Sequence, residues 1–257
     1  MSRANFDYLS LLDECGGLYV CPKSTTGLRL GPLVALTKRD DKGRHLVTDE
    51  YADFSKIERE GGALRQIIEG LHRTIISSGV PVTPNFCGIP EGGRTLATLL
   101  AAHFGGSFIY PEKEVTKLKT PNSREESRLG WGRHEPRCGE DWFPVDDIFT
   151  NGSTTDRVIK LIEGCGARVP AVICFLNRSV DFDRSFLCRS RNVPIIALVR
   201  KRMEQYSQDD PKVAHDVVAG NVVLNPKKEW SQLVSAMART QIKGSGEIIR
   251  DLADQAW

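Results

Sequence analysis

Apolar residues recur every three or four positions in several stretches of the chain, a pattern typical of amphipathic helices. The first stretch contains Leu11 and Leu12 and stops at Gly16-Gly17, because a glycine pair favours the end of a helix. The helices predicted in this way cover residues 8–15, 64–75, 96–103, 154–165 and 227–239, with another near 246–256.

Between the first two helices the pattern changes to short runs of β-forming residues. These runs cover residues 18–20, 33–36 and 45–47, and turn-forming stretches such as Thr25-Thr26-Gly27 separate them. They predict a small, irregular sheet, or hood, near the N-terminus.

From Pro81 onwards, apolar strand-like runs alternate with helices, which indicates a parallel sheet covered on both faces. The predicted fold class is therefore α/β, with a central, mainly parallel sheet, helices on both faces and the small N-terminal hood. In such sheets, ligands bind beyond the carboxyl ends of the strands. The predicted strands are 82–88, 107–110, 142–145, 169–176 and 194–199, and the sequence between the last two is polar and helix-like.

These patterns divide the chain into three segments. Residues 1–80 are predicted to form the helix and hood region packed on the core, 81–200 the core, and 201–257 a helical extension. Within the core, residues 111–139 are rich in charge and lack hydrophobic periodicity. A long connection of this kind predicts a mobile functional lid, and a solvated insertion is the alternative.

Composition excludes several classes of function. Lys plus Arg is 35 against 33 for Asp plus Glu, and a net charge of +2 does not favour nucleic-acid binding. We see no secretory signal and no apolar run near the ~18 residues of a membrane span, so we expect a cytoplasmic protein without membrane contact. The seven cysteines include no C-x-x-C pair, which argues against zinc and a disulfide framework. Cys87 and Cys174 are predicted core residues.

The main candidate for chemistry follows the strand predicted at residues 142–145. Two acids, Asp146 and Asp147, come first, then two apolar residues, then a small polar segment that opens a helix. Taken alone, Asp147 is explained equally well as a helix cap. The whole pattern instead predicts a phosphate site beside two carboxylates, because a glycine with free backbone N–H groups and hydroxyl donors suits an anion. That segment consists of Thr150, Asn151, Gly152, Ser153 and Thr154.

At these residues the chain resembles the type I phosphoribosyltransferases, whose signature is an apolar strand, two acids, two apolar residues and a Thr-Gly-rich loop. The resemblance implies that Asp146 and Asp147 face the ribose hydroxyls of phosphoribosyl pyrophosphate (PRPP) as catalytic residues. It implies that residues 150–154 hold the 5′-phosphate. Asn151 stands where the family often has Thr, and Ser153 where it often has Gly.

Further segments extend the resemblance towards orotate phosphoribosyltransferases. The loop Gly88 to Gly93 matches the family's pyrophosphate loop, which implies pyrophosphate binding by Pro90, Glu91, Gly92 and Gly93, although a tight strand-to-helix turn explains the loop equally well in isolation. Lys113 and Lys117 correspond to the basic start of the mobile catalytic loop. The family's Arg-Lys-Glu is Glu112-Lys113-Glu114 here, and its Lys-x-His-Gly is not found.

Two arginines match positions that bind the base in orotate enzymes. Arg178 follows the strand 169–176, where the family's arginine binds the orotate carboxylate, and Arg29 stands at the lysine of an N-terminal segment. A guanidinium fork suits a carboxylate.

The resemblance implies transfer of phosphoribosyl from PRPP to a nucleobase, with orotate favoured and pyrophosphate released. It also implies Mg²⁺ held mainly by PRPP, with no dedicated protein metal site, and a homodimer whose basic loop serves the neighbouring site. Three alternatives stay open: another acceptor base, a regulator that binds PRPP or a nucleotide without turnover, and a generic phosphosugar binder.

Overall fold

The structure, a computed structural model, describes residues 6–117 and 126–238, and the side chains of 114–117 and 126–127 lie outside the description. The chain divides into two compact units. The first unit comprises Met1–Leu11 and Phe54–Arg202, and the second comprises Leu12–Asp53 and Met203–Trp257. No helix in the described ranges has the length and apolar character of a membrane span.

The helices are α1 (Tyr8–Glu14), α2 (Gly61–Ser77), α3 (Gly93–Phe104), α4 (Ser153–Gly164) and α5 (Ala214–Val218), followed by a helix over 230–238. The strands are β1 (Leu18–Val20), β2 (Leu33–Arg39), β3 (His45–Thr48), β4 (Glu50–Ala52), β5 (Phe86–Gly88), β6 (Phe108–Ile109), β7 (Pro111–Lys117), β8 (Glu126–Trp131), β9 (Phe143–Phe149), β10 (Val172–Asn177), β11 (Ser185–Cys188), β12 (Arg191–Arg200) and β13 (Val222–Val223). These bounds confirm the predicted helices within the described residues. The helix predicted near 246–256 lies outside them.

The first unit is built on a six-stranded sheet with the order β11-β12-β10-β9-β5-β6. All neighbouring strands are parallel except β11 and β12, which confirms the predicted mainly parallel sheet. Every residue of β10 is buried, as expected for a strand covered on both faces. The carboxyl ends of β5, β9 and β10 therefore meet at one edge of the sheet.

Helices cover both faces of this sheet. On one face, Phe86 of β5 packs against Phe104 of α3 with ring centroids 5.4 Å apart. On the other face, the buried apolar residues of α4 share a core cluster with Cys87 and Cys174, whose side chains are fully buried as predicted. Adjacent strand residues such as Phe86 and Cys87 point to opposite faces, which explains the two cores.

Several details differ from the sequence prediction. Residues 111–139 were expected to lack secondary structure, but β7 and β8 pair as an antiparallel hairpin in their described part. The segment before β12 contains the strand β11 rather than a helix. The strand predicted over 82–88 begins only at Phe86.

The second unit joins two segments of the chain that lie on either side of residues Phe54–Arg202. Strand β13 pairs in parallel with β2, and β2 pairs with β3, so one three-stranded sheet contains both segments. Helix 230–238 contributes Leu233 to a buried cluster that includes Tyr19 and Val34. The compact units thus group residues 203–238 with the hood strands, and α2 with the central sheet.

Candidate active site

The acid pair lies near the carboxyl end of β9, which continues through both acids to Phe149. The amide of Asp147 donates to Asp146 Oδ1 over 3.0 Å, and the amide of Ile148 donates to Asp147 Oδ1 over 2.8 Å. Both side chains are partly buried. Burial, and then repulsion from Asp147, raises the pKa of Asp146 well above its ordinary value. Hydroxyl donors or a cation at this position would relieve that repulsion.

The glycine loop between β5 and α3 lies directly against this pair. A Cβ added at Gly92 would overlap the carboxylate of Asp147, and one added at Gly93 would overlap the carbonyl oxygen of Val145. The Pro90–Glu91 peptide bond in this loop is cis. Only glycine permits so close an approach of the two segments. The predicted pyrophosphate loop is therefore in contact with the predicted ribose acids.

The predicted 5′-phosphate loop connects β9 to α4. Gly152 adopts a left-handed conformation with φ of 69°, and a Cβ there would lie 3.1 Å from the ring of Phe149 and 3.2 Å from that of Phe186. Asn151 Oδ1 accepts the amide hydrogen of Ser153 over 3.1 Å. Amides of the first helical turn lack intrahelical acceptors, so this end of α4 can receive an anion.

Arg178 follows β10 and lies beside the same loop. Its side chain is buried, and its Nε donates to Thr150 Oγ1 over 3.0 Å. The amide group of Asn177 donates to the carbonyl oxygens of Phe182 and Asp183 over 2.9 and 2.8 Å, which fixes the turn after Arg178. One hydrogen bond thus couples the predicted base residue to the predicted phosphate loop.

Cations surround Glu91 in the glycine loop. Lys113 of β7 places its Nζ 4.0 Å from Glu91 Oε1, and Arg94 Nη1 lies 3.7 Å from Glu91 Oε2. The guanidinium of Arg94 stacks on the ring of Tyr110 with its Cζ 4.2 Å from the centroid. Sequence reasoning missed Arg94, although a cation in the first turn of a helix opposes the helix dipole and is for that reason a usable signal.

Two further predicted site residues are Arg29 and Lys117. Arg29 belongs to the second unit, where its guanidinium lies 3.4 Å from a carboxylate oxygen of Asp49 and 3.4 Å from one of Asp216. Lys117 belongs to β7, but its side chain lies outside the described residues. No structural role is assigned to either in the site.

The side chains around the acid pair determine how a metal ion could bind there. Within residues 6–117 and 126–238 no group of three or more His, Cys, Asp or Glu side chains converges on one point. The partly buried carboxylates Asp146 and Asp147 can contribute to a Mg²⁺ site only if substrate oxygens and water complete the coordination. The residues present thus fit a metal ion that binds together with an oxygen-rich ligand.

Known proteins resemble the chain at low identity, and no protein-family model matches it. The chain is 28% identical over 135 residues to the transcriptional regulator GfcR of Methanosarcina mazei, covering 52% of this chain and 59% of the relative. It is 30% identical over 149 residues to the orotate phosphoribosyltransferase of Yarrowia lipolytica, covering 53% and 65%. Both matches span less than two thirds of the relative's own length.

Among solved structures, the adenine phosphoribosyltransferase of Leishmania tarentolae superposes with a TM-score of 0.50 at 16% sequence identity. The superposition covers 77% of this chain and 89% of that one. At such an identity the likeness concerns the fold, which agrees with the parallel sheet and with the loops at its carboxyl edge. The chain has the fold of the type I phosphoribosyltransferases, the family that its residues 142–155 resemble.

Proposed function

We propose that the protein transfers the 5-phosphoribosyl group of PRPP to a ring nitrogen of a nucleobase, with orotate favoured. The contact of the Gly92-Gly93 loop with Asp147 is the observation that carries the proposal. It brings an anion loop next to two carboxylates, and a second anion loop follows the same strand at Thr150. In PRPP the ribose hydroxyls lie between the 5′-phosphate and the 1-diphosphate, just as the two acids here lie between the two anion loops.

In the proposed reaction the C1′–O bond to the diphosphate breaks and a C1′–N bond to the base forms. Asp146 and Asp147 accept hydrogen bonds from the ribose hydroxyls, and their negative charge favours the positive charge that develops at C1′. The loop 150–154 holds the 5′-phosphate, and the 88–93 loop holds the diphosphate. Mg²⁺ bound to the sugar diphosphate supplies charge neutralisation for the leaving pyrophosphate. The base nitrogen loses its proton to solvent.

Arg178 is the proposed base-binding residue and favours a carboxylated base. Its guanidinium is already oriented by Thr150, so little side-chain entropy is lost when it pairs with a carboxylate. The relative from Yarrowia lipolytica is named for orotate, whereas the structural neighbour from Leishmania tarentolae is named for adenine. A test of the base must therefore include both orotate and adenine.

A panel assay tests the enzyme and the base together. Pyrophosphate release is measured with PRPP, Mg²⁺ and each of orotate, uracil, adenine, guanine and hypoxanthine. We expect turnover with orotate, and we expect Arg178→Lys to reduce kcat/KM for orotate by roughly 10²-fold because a bidentate pair is lost. Turnover with adenine alone would identify adenine as the acceptor in place of orotate. No pyrophosphate release with any of the five bases would contradict the proposed transferase activity.

The relative named as a transcriptional regulator favours a second candidate: a regulator that binds PRPP or a nucleotide without turnover. Calorimetric titration separates the two functions. Binding of PRPP that depends on Asp147, together with no pyrophosphate release from any base, would support the regulator. Binding accompanied by release would support the transferase.

A homodimer is the proposed assembly, in which Lys113 and Lys117 of the hairpin reach the neighbouring site. The resemblance supports this arrangement, and the 4.0 Å approach of Lys113 to Glu91 of its own chain offers the competing one. Mixing inactive Asp147→Asn and Lys113→Ala variants distinguishes them. Recovered activity supports a shared site, whereas no recovery in a mixed dimer supports Lys113 acting within its own chain.

A further inference from the structure

Arg94, in the first turn of α3, is a charged residue beside the glycine loop. Its Nε is buried and has no hydrogen-bond partner within residues 6–117 and 126–238. The ion pair with Glu91 spans 3.7 Å, which exceeds a hydrogen bond, and the guanidinium stacks on the ring of Tyr110. About two thirds of the side chain is shielded from solvent, since its exposed fraction is 32%.

The position of Arg94 makes this arrangement unfavourable without a ligand. A buried N–H group without an acceptor loses its hydration and gains no hydrogen bond in exchange. The first turn of α3 is also the positive end of the helix dipole, which repels a cation. An anion bound at the same turn reverses both effects, because it accepts from the guanidinium and interacts favourably with the helix end.

The backbone around Arg94 is shaped for this placement. A Cβ added at Gly88 would lie 2.8 Å from the Cα of Arg94, so glycine at the end of β5 allows α3 to begin so close to the strand. The ring of Tyr110 then holds the guanidinium on the side of the loop that carries Glu91. Glu91 is 66% exposed and can turn towards solvent when another anion arrives.

We propose that Arg94 binds the anionic group received by the Gly92-Gly93 loop, a diphosphate in the proposed reaction, and that Glu91 is its counter-ion in the empty site. The inference rests on the proposed function. It assigns opposite effects to two neighbouring residues, since Arg94 favours the ligand and the carboxylate of Glu91 competes with it.

Calorimetric titration of the full chain with inorganic pyrophosphate, with and without Mg²⁺, tests the role of Arg94. We expect Arg94→Gln to weaken pyrophosphate binding by about 10-fold or more. Arg94→Lys should weaken it less, because lysine keeps the positive charge although it lacks the two parallel N–H donors of the guanidinium. Arg65→Gln, an exposed arginine on α2, is the matched control and leaves the affinity within twofold. Equal affinity of Arg94→Gln and the unmodified protein overturns the proposal.

Glu91→Gln tests the counter-ion, and because Glu91 is exposed this variant retains the fold. We expect pyrophosphate to bind roughly two- to fivefold more tightly in EDTA, since a competing charge is removed. Glu112→Gln, an exposed carboxylate on β7, controls for the change in net charge. Unchanged or weaker binding by Glu91→Gln overturns the counter-ion role.

The two levels of proposal fail differently. If the unmodified protein binds neither pyrophosphate nor PRPP, the proposed function fails. If it binds both and Arg94→Gln binds them equally well, only the role of Arg94 fails.

Discussion

Asp146 is a residue whose ionised form is unfavourable in the empty site. Burial and the neighbouring Asp147 raise its pKa, so the folded protein binds a proton more readily than the unfolded chain. Stability therefore falls as the pH rises from the ordinary carboxyl range through the raised pKa. Removing the charge should abolish this part of the pH dependence.

Asp146→Asn is accordingly expected to stabilise the ligand-free protein at pH 8 by on the order of 1 kcal/mol, although it removes a proposed ribose contact. The gain should shrink as the pH is lowered to about 4, where the native carboxyl is protonated. Thermal unfolding between pH 4 and 8 measures it, with Glu69→Gln on α2 as the control for the loss of one charge. A gain that is the same at every pH would contradict the explanation.

Gly93→Ala is expected to destabilise the first unit by roughly 2–4 kcal/mol, because the new Cβ meets backbone atoms that cannot move independently. Gly62→Ala on α2 is the matched control, since nothing lies within 4 Å of its added Cβ. Replacing that exposed helical glycine should be neutral or stabilise by up to about 1 kcal/mol. Denaturant unfolding compares the two, and equal midpoints would show that the loop can retreat from β9.

At the scale of residues, the sequence supports predictions about groups of residues that follow one another in the chain. The acids and the loop 150–154 form one continuous segment, so the pattern that predicts a phosphate site beside two carboxylates is visible in the sequence alone. The stacking of Arg94 on Tyr110 was not predictable, because it depends on how α3 and the segment after β6 are placed. The same is true of the pairing of Arg178 with Thr150, which belong to different strand ends.

At the scale of elements, the carboxyl ends of β9 and β10 act as one support for the site. Thr150 follows β9, Arg178 follows β10, and their hydrogen bond connects the two loops. A change in one loop should therefore alter the effect of a change in the other.

Thr150→Val and Arg178→Lys are expected to be non-additive by about 1 kcal/mol or more in the free energy of PRPP binding, since both remove the same hydrogen bond. Calorimetry on the two single variants and the double variant measures the coupling. Thr74→Val removes a hydroxyl that bonds the carbonyl of Gly70 in α2, and combined with Arg178→Lys it should give an additive result. Additivity in the first cycle would contradict the proposed coupling.

The hairpin shows why some elements escaped prediction. β7 and β8 pair through backbone hydrogen bonds, and their charged side chains give no alternation of apolar and polar positions. The short strand β11 was missed for a similar reason, because its neighbour β12 provides the pairing. By contrast, β10 is a continuous apolar run, and the helices α2 and α4 have a clear helical period, so all three were predicted.

At the scale of the molecule, the grouping of distant segments in the second unit lay beyond sequence patterns. Strand β13 contains two residues, too few to carry a recognisable period, and its partner β2 lies far away in the chain. Leu233 nevertheless completes a buried cluster with residues of β1 and β2.

Leu233→Ala is expected to destabilise the second unit by roughly 2–5 kcal/mol, because the side chain is fully buried. Its neighbour Val234 is 42% exposed, and Val234→Ala should change stability by less than about 0.5 kcal/mol. Limited proteolysis of both variants in increasing denaturant measures the stability of the second unit. Cleavage within 12–53 and 203–238 should precede cleavage within 54–202, and simultaneous cleavage would contradict independent loss of the second unit.

The parallel pairing of β2 with β13 also has a consequence during synthesis. The ribosome synthesises β1 to β4 early, but the three-stranded sheet and the buried cluster around Tyr19 are complete only after residues 203–238 have been made. The segment Phe54–Arg202 emerges in between and already contains all six strands of the central sheet. Since domains fold as units during translation, the nascent chain is expected to form the sheet that carries the acid pair first. Until the later segment arrives, β1 can pair with β4 and β2 with β3, but the edge of β2 that pairs with β13 stays open.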